Sequence, residues 1–273
     1  MSPKAIDIFT RAQRRFLYSL KRMWIEAIFF EKKKHGFTGN YASWAEALRD
    51  SSGYDSKIIL EKTTAASRKM RDGNAAYERD SVTFDEIQYA WPLLAGLMWF
   101  AAQSQGKLNV LDFGGSLGTT YFQNRKFLKC LPEVRWNIVE QPDHVEVGKA
   151  LFQNSELRFY FTIEECLNDT SPSALILSSV LHYLEEPYSF LEKVLSLGFR
   201  YMIFDRTLFL NQDLPDRLTV QKISPNIYEA SVPCWQLNLQ KFLSYFKSKY
   251  ELVAEFEGFQ EGKGFIFALK GES

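Results

Sequence analysis

A short apolar strand that runs straight into a glycine-rich loop constrains the fold of this 273-residue chain more than any other feature. Residues 108–118 read LNVLDFGGSLG, with glycine at positions 114, 115 and 118. Glycine lets backbone N–H groups approach a ligand closely and adopts positive φ without a Cβ clash. A helix that starts near Thr119 would point the positive end of its dipole at whatever lies over the loop. This combination is typical of a nucleotide-type site in a doubly wound α/β sheet.

The spacing of the loop residues separates two kinds of nucleotide site. The dinucleotide fingerprint G-x-G-x-x-G is absent, because the required positions after Gly114 are not glycine. The pattern D-x-G-x-G-x-G fits instead at Asp112, Gly114 and Gly118, with Ser116 at the middle glycine and Gly115 beside it. The loop therefore favours an S-adenosylmethionine site over a dinucleotide site, and the alternative is a plain strand-to-helix turn.

A second acid follows at the spacing that such a site needs. The apolar run 136–139 ends in Glu140, which lies 22 residues after Gly118. In nucleotide-binding α/β folds, an acid about 20 residues past the glycines accepts hydrogen bonds from ribose hydroxyls. We expect Glu140 to hold the ribose and Gln141 to lie beside the adenine. The alternative is a surface glutamate that opens the helix predicted after Gln141-Pro142.

Strands and helices alternate regularly after the glycine loop. The predicted strands are 108–113, 134–140, 157–161, 173–178 and 199–204, with helices such as 119–130 and 187–197 between them. This order predicts parallel β-α-β units. The segments 252–256 and 264–269 are joined by a short turn and must form an antiparallel hairpin. Five parallel strands and a C-terminal antiparallel hairpin predict the Rossmann-like sheet of class I methyltransferases.

The preceding residues predict a helical N-terminal extension or lid over 1–105, before a cofactor-binding domain over 106–273. Helices are predicted at 44–50, 56–72 and 84–105, the last kinked at Trp91-Pro92. The polar group 77–80 is interpreted either as a solvated connection between helices or as a lid that contacts the charged end of the cofactor.

The first 34 residues predict a basic amphipathic helix. They contain nine Lys or Arg residues against three Asp or Glu, whereas the whole chain balances 33 against 33. Such a helix can lie on an anionic membrane surface, here the inner face of the cell membrane. The favoured alternative is a helix packed on its own domain or on a sister subunit.

Composition excludes several other classes of function. Zero net charge gives no general argument for nucleic acid, and the three histidines and three cysteines lack metal-ligand spacing. An odd number of dispersed cysteines fits a reducing compartment, and no apolar stretch reaches the ~20 residues that span a bilayer. We therefore expect a cytoplasmic protein without a metal. The sequence does not predict the oligomeric state.

Beyond this general class, the chain resembles a family of methyltransferases usually met in bacterial gene clusters for surface polysaccharides such as capsule or lipopolysaccharide. The resemblance covers roughly residues 36–270 and is specific as a combination of short motifs. These are WAEA at 44–47, YERD at 77–80, WPLL at 91–94, LDFGGSLG at 111–118, VEQ at 139–141, VLHYL at 180–184, FDRT at 204–207 and IYEASVPCW at 227–235. The resemblance implies S-adenosylmethionine as cofactor and a small-molecule or lipid-linked glycan as acceptor.

The remaining candidate residues follow the predicted strands at their carboxyl ends. We expect Ser178 and Ser179 to border the cofactor, and Asp112 and the loop glycines to hold its methionine and ribose region. His182 is a candidate general base for a sugar hydroxyl, and the alternative is a histidine packed at the start of a helix. Arg206, next to Asp205, could pair with a phosphate or carboxylate of the acceptor or form a local ion pair.

About 45 residues separate the fifth and sixth strands, which is long for a crossover. Tyr228 and Trp235 in this segment suit the faces of sugar rings, although both equally serve as core residues. The leading hypothesis is thus a sugar-directed methyltransferase. Two alternatives are a non-catalytic recruitment module with the same fold and, less favoured, a nicotinamide-dependent oxidoreductase.

Overall fold

The structure, a computed structural model, describes residues 36–52, 57–79, 81–210, 214–223, 230–258 and 262–271. The basic helix predicted within residues 1–34 lies outside these residues, as does Tyr228. Among the described residues, no helix combines the length and the apolar character needed to cross a bilayer.

The described chain forms eight α-helices and thirteen strands. The helices are α1 (Trp44–Arg49), α2 (Lys57–Arg71), α3 (Trp91–Gln103), α4 (Thr119–Leu128), α5 (Pro142–Leu151), α6 (Ile163–Asp169), α7 (Pro187–Ser196) and α8 (Leu239–Ser244), with a 3₁₀ turn at Leu181–Tyr183. The strands are β1 (Gly36–Thr38), β2 (Tyr77–Arg79), β3 (Val82–Phe84), β4 (Lys107–Phe113), β5 (Glu133–Val139), β6 (Leu157–Tyr160), β7 (Ala174–Ser178), β8 (Tyr201–Thr207), β9 (Phe209–Leu210), β10 (Arg217–Lys222), β11 (Ser231–Asn238), β12 (Tyr250–Glu257) and β13 (Lys263–Leu269).

Seven strands form one large sheet in the order β12-β13-β8-β7-β4-β5-β6. The strands β4 to β8 pair in parallel, whereas β13 is antiparallel to both β8 and β12. The five predicted parallel strands and the C-terminal hairpin are therefore confirmed, and no strand end differs from its predicted position by more than three residues. The predicted α/β fold class, the class I methyltransferase sheet, is confirmed with them.

Helices cover both faces of the large sheet, because successive residues of a strand point to opposite faces. One face packs Val110, Ile176 and Ile203 against α3, α4 and α5. The other packs Leu111, Leu177 and Phe204 against α6, α7 and α8. Burial on both faces explains why these strands read as continuous apolar runs in the sequence.

A second, four-stranded sheet has the order β1-β10-β11-β9 and covers the carboxyl edge of the large one. Its strands β10 and β11 come from the long segment between β8 and β12, and β1 comes from the N-terminal part of the chain. The long segment between the fifth and sixth predicted strands thus supplies strands that the sequence pattern did not predict.

Two predictions for the N-terminal extension are wrong. The segments 77–79 and 82–84 form the antiparallel hairpin β2–β3, whose Glu78 and Arg79 are buried, so the alternative of a solvated connection between helices is wrong. Trp91-Pro92 begins α3 and does not kink a longer helix, since proline at the first turn loses no helical hydrogen bond. The extension therefore contains strands as well as helices.

Candidate active site

A cavity of about 1350 Å³ opens at the carboxyl ends of β4, β5, β7 and β8. It lies where β4 has β5 on one side and β7 on the other, so that the crossovers leave in opposite directions and open a crevice. The glycine loop forms its floor, and β1, β10 and α1 form its roof. The lining includes nearly every predicted site residue within the described part of the chain, namely Asp112, Gly114, Gly115, Ser116, Glu140, Gln141, Ser178, Ser179, His182 and Arg206.

The loop after β4 follows a path that side chains would block. Gly114 has φ of 71°, and a Cβ there would lie 2.6 Å from Cγ2 of Val180. A Cβ on Gly115 would lie 2.6 Å from Oδ2 of Asp112. Gly118 has φ of 97° and precedes the first turn of α4. The backbone thus curls tightly around the carboxyl end of β4 and enters a helix that starts at the cavity.

Ser116 takes the left-handed conformation that the pattern assigns to glycine. Its φ is 51°, a region that costs a non-glycine residue roughly 1–2 kcal/mol. The loop therefore keeps the glycine path with serine at its centre, and the hydroxyl is added to the cavity lining.

Asp112 lies near the end of β4, just before the glycine loop, and 1% of its surface is exposed. Trp136 donates its indole N–H to Oδ2 at 2.9 Å, whereas Oδ1 has no hydrogen-bond partner among the described residues. Burial, aided by the nearby charge of Glu140, raises the pKa of Asp112 to about 7. A buried acceptor without a donor favours a cationic ligand group, because such a group would satisfy Oδ1 and hold the carboxyl ionised.

Glu140 follows β5 at the same edge of the sheet. Its Oε2 accepts the backbone N–H of Gln141 at 2.6 Å, which turns the carboxylate toward the start of α5. Gln141 is the N-cap residue of α5, and the following Pro142 fixes the first turn. The helix-start interpretation is observed, because Glu140 precedes the helix; it also lines the cavity, and its contact with the ribose stays a prediction.

The opposite wall of the cavity carries a polar cluster after β7 and β8. Ser178 donates its hydroxyl to Oδ2 of Asp205 at 2.7 Å, and Arg206 donates to the Ser178 hydroxyl at 3.2 Å. Nε of Arg206 also lies 3.4 Å from the same Asp205 oxygen. The backbone of Ser179 and of Arg206 has φ of 59° and 51°, so both chain turns are strained. Arg206 therefore forms the predicted local ion pair while it lines the cavity.

His182 lies in the 3₁₀ turn and is 1% exposed. Burial, with a contribution from the charge of Arg206, lowers its pKa to about 3. Among the described residues, Nδ1 has no hydrogen-bond partner. A histidine in this environment is neutral at physiological pH but a weak proton acceptor, so its role as a general base stays a prediction that the geometry does not favour.

The hairpin β2–β3 contributes lining residues that were not among the predicted site residues. Glu78 and Arg79 are 1% and 9% exposed and both face the cavity. Thr119, the first residue of α4, donates its hydroxyl to Oε2 of Glu78 at 2.7 Å. The polar run at 77–80 is visible in the sequence, but only the structure shows that Tyr77–Arg79 are buried.

The roof meets the floor through one short hydrogen bond. Tyr183 donates its hydroxyl to Oε1 of Gln221 on β10 at 2.6 Å, and both residues line the cavity. Trp235, a predicted substrate residue, is placed elsewhere: it packs among core residues and donates its indole N–H to the Glu185 carbonyl at 3.3 Å. It is absent from the described cavity lining, so its position favours the core interpretation.

Within the described residues, no group of three or more His, Cys, Asp or Glu side chains could hold a metal ion. The three cysteines are not paired with one another, and Cys166 and Cys234 are buried.

Comparison with known proteins yields structures of similar fold. No protein-family model and no curated protein matches the sequence. The N-terminal domain of EvdMO1 with SAH bound is 11% identical, with a TM-score of 0.47 over 74% of this chain and 94% of that chain. The glycopeptide N-methyltransferase MtfA in complex with S-adenosylmethionine is 8% identical, with a TM-score of 0.45 over 64% of this chain and 93% of that chain.

A third structure, an S-adenosylmethionine-dependent methyltransferase from Clostridium acetobutylicum, is 10% identical, with a TM-score of 0.43 over 65% of this chain and 91% of that chain. Similarity at this level carries no argument about activity. The assignment of the fold therefore rests on the strand order, and a functional assignment rests on the geometry of the cavity.

Proposed function

We propose that this chain is an S-adenosylmethionine-dependent methyltransferase that acts on a hydroxyl group of a sugar or of a sugar-linked intermediate in surface polysaccharide synthesis. The observation that carries the proposal is the convergence of three features at one end of the cavity. These are the tightly curled glycine loop, the buried Asp112 with a partnerless Oδ1, and Glu140 after the next strand.

The residues at this end of the cavity fit each part of the cofactor. The ammonium group of its amino-acid end would donate to Oδ1 of Asp112. The ribose hydroxyls would donate to Glu140, and the adenine would lie beside Gln141. The glycines at 114 and 115 let the backbone pass closely by Val180 and Asp112, and such a tight turn would bring its N–H groups to the ligand. When bound, S-adenosylmethionine supplies a methyl group on a positively charged sulfur.

The protein's own contribution is alignment and proton removal. Methyl transfer to a neutral hydroxyl needs the acceptor oxygen in line with the methyl group in a cavity that excludes water. Asp205 borders that region and is 4% exposed, and its Oδ2 is already engaged by Ser178. Because Ser178 and Arg206 both contact Oδ2, Oδ1 is the oxygen that we propose takes the hydroxyl proton. We therefore favour Asp205 over His182 as the general base.

The roof supports a polar acceptor. Gln221 and Lys222 offer hydrogen-bonding groups, and Phe37 and Trp44 offer aromatic faces on which a sugar ring can stack. Tyr183, below the roof, offers a further hydroxyl group. The link to surface polysaccharides is supported by the sequence resemblance alone. A cytoplasmic location, with residues 1–34 on the inner face of the membrane, belongs to the same proposal.

The recruitment module and the nicotinamide-dependent oxidoreductase predict different ligands. A recruitment module needs no cofactor, whereas an oxidoreductase needs a dinucleotide, for which the glycine spacing is missing. Calorimetric titration of the full chain with S-adenosylmethionine, S-adenosylhomocysteine and NAD(H) separates the three. We expect micromolar binding of the first two ligands and none of NAD(H). Absence of binding at millimolar S-adenosylmethionine would contradict the proposal, and tight NAD(H) binding would support the oxidoreductase.

A further inference from the structure

The hairpin β2–β3 lies directly over the start of α4 and is fixed there. Thr119 bonds Oε2 of Glu78, while the backbone N–H of Ser81 donates to Oε1 of the same side chain at 2.9 Å. Oε2 of Glu78 thus attaches the hairpin to the helix that follows the glycine loop, and Oε1 fixes the turn of the hairpin itself. The hairpin is part of the cofactor end of the cavity and not a loose lid.

Arg79, the next residue, is held as firmly. Its Nε donates to the Tyr77 hydroxyl at 3.0 Å, and its guanidinium carbon lies 5.3 Å from the centre of the Tyr77 ring. Tyr77 is itself 3% exposed. A buried guanidinium oriented by a tyrosine is a preorganised partner for a carboxylate, since its other N–H groups keep a fixed fork geometry.

Three carboxylates line this end of the cavity, so an anionic group of a ligand that binds here needs a positively charged partner. These are Glu78, Asp112 and Glu140, which would together repel a carboxylate. The described lining contains three Lys or Arg residues, Arg79, Arg206 and Lys222. Arg206 contacts Asp205 and Ser178 on the acceptor wall, although its charge also acts on Asp112, which makes it the rival candidate; Lys222 is exposed on the roof. Arg79 lies on the hairpin that Glu78 attaches to the helix after the glycine loop.

We infer that Arg79 binds the α-carboxylate of the cofactor's methionine moiety, so that Arg79 and Asp112 together recognise a zwitterionic amino-acid group. This inference rests on the proposed function and assigns one group of the ligand to one side chain. It makes the hairpin a determinant of specificity, because a nucleoside that lacks the amino acid would gain nothing from it.

The test compares two ligands that differ in this group. S-adenosylhomocysteine carries the zwitterion, and 5′-methylthioadenosine lacks it. Calorimetric titration would use the full wild-type chain, Arg79→Gln, Arg79→Lys, Arg206→Gln and the control Arg135→Gln, whose exposed guanidinium pairs with Glu133 at the far end of β5. Since charge-assisted hydrogen bonds are lost, we expect Arg79→Gln to weaken S-adenosylhomocysteine binding about tenfold or more and 5′-methylthioadenosine binding less than about twofold. Arg79→Lys should recover part of the loss, and Arg135→Gln should change neither affinity.

Three results would overturn the inference. One is an equal loss for both ligands in Arg79→Gln; another is no loss for either. A third is that Arg206→Gln, and not Arg79→Gln, removes the preference for S-adenosylhomocysteine. If Arg79→Gln does not fold, the wild-type chain still tests whether the carboxylate of the ligand is bound, by comparison of two ligands. Equal affinity for S-adenosylhomocysteine and its carboxyl methyl ester would contradict a carboxylate contact. Wild-type chain that binds none of these nucleosides would overturn the proposed function itself, whereas binding that ignores Arg79 would overturn only this inference.

Discussion

The two sheets of this protein differ in how their strands are related along the chain. The parallel strands of the large sheet follow one another within residues 107–207, each joined to the next by a helical crossover. The small sheet pairs β1 at residue 36 with β10 near residue 222, and β9 with β11. The large sheet holds the glycine loop, whereas the small sheet covers it. The floor, which we propose binds the cofactor, is thus built from units that follow one another in the sequence. The roof, which we propose covers the acceptor, is built from segments that are far apart in the sequence.

The largest expected effect comes from filling the floor. Gly115→Val would push a side chain into Asp112, because a Cβ at this position already lies 2.6 Å from its Oδ2. We expect S-adenosylhomocysteine binding to fall below detection and unfolding free energy to fall by about 1–3 kcal/mol. Calorimetry and chemical denaturation measure the two quantities.

Gly198→Ala is the control for this substitution. It adds a methyl group to open space at a positive φ, far from the cavity lining. It should cost roughly 1–2 kcal/mol of stability through backbone strain and leave ligand binding unchanged. Normal binding by Gly115→Val would show that the loop does not hold the ligand.

The next effect is a pH dependence that originates in the floor. The pKa of Asp112 is raised from 3.8 to about 7, so the folded chain holds a proton that the unfolded chain releases. Stability from this group is therefore present at pH 4 and is lost as the pH rises toward 7. Because the ligand's ammonium group needs the ionised carboxylate, S-adenosylhomocysteine affinity should rise about tenfold from pH 6 to pH 8.

Asp112→Asn isolates this carboxyl group. It keeps the shape of the side chain and should bind S-adenosylhomocysteine more weakly, with an affinity that no longer rises with pH. Calorimetry at pH 6, 7 and 8 measures the dependence. An unchanged rise of affinity with pH in Asp112→Asn would mean that another group titrates.

A smaller effect is expected at the ribose. Glu140→Ala removes charge-assisted hydrogen bonds worth roughly 1.5–3 kcal/mol, so the affinity for both S-adenosylhomocysteine and 5′-methylthioadenosine should fall by about tenfold or more. Equal losses for the two ligands distinguish a ribose contact from a contact to the amino-acid end. Unchanged affinity would count against the ribose assignment.

The smallest effect concerns the contact between floor and roof. Tyr183→Phe removes the 2.6 Å hydrogen bond to Gln221, which should lower the unfolding free energy by about 0.5–1.5 kcal/mol. Cofactor affinity should stay within twofold of wild type, since the bond lies on the acceptor side. A large loss of S-adenosylhomocysteine binding would show that the roof also holds the cofactor.

The same contrast explains how far the sequence could predict the structure. The central strands β4, β5, β7 and β8 of the large sheet are largely buried and read as apolar runs, of which β4 ends at Gly114 and β5 at Glu140. Their order and the candidate site residues therefore follow from local patterns. The strands β10 and β11 contain Thr219, Gln221 and Pro233. Such residues carry no clear strand period, and the pairing of β10 with β1 depends on contacts across about 180 residues. The hairpin β2–β3 could not be predicted for a similar reason. Glu78 and Arg79 are polar residues that are buried only in the folded chain, where Glu78 contacts α4.

Hydrogen exchange of the full chain with and without S-adenosylhomocysteine tests the central claim most directly, since it resolves floor from roof in one experiment. We expect added protection of the backbone amides at 113–119, at 140 and 141 and at the hairpin β2–β3, with little change along β10 and β11. Protection confined to β10 and β11, or none at the glycine loop under saturating ligand, would contradict the placement of the cofactor on the floor.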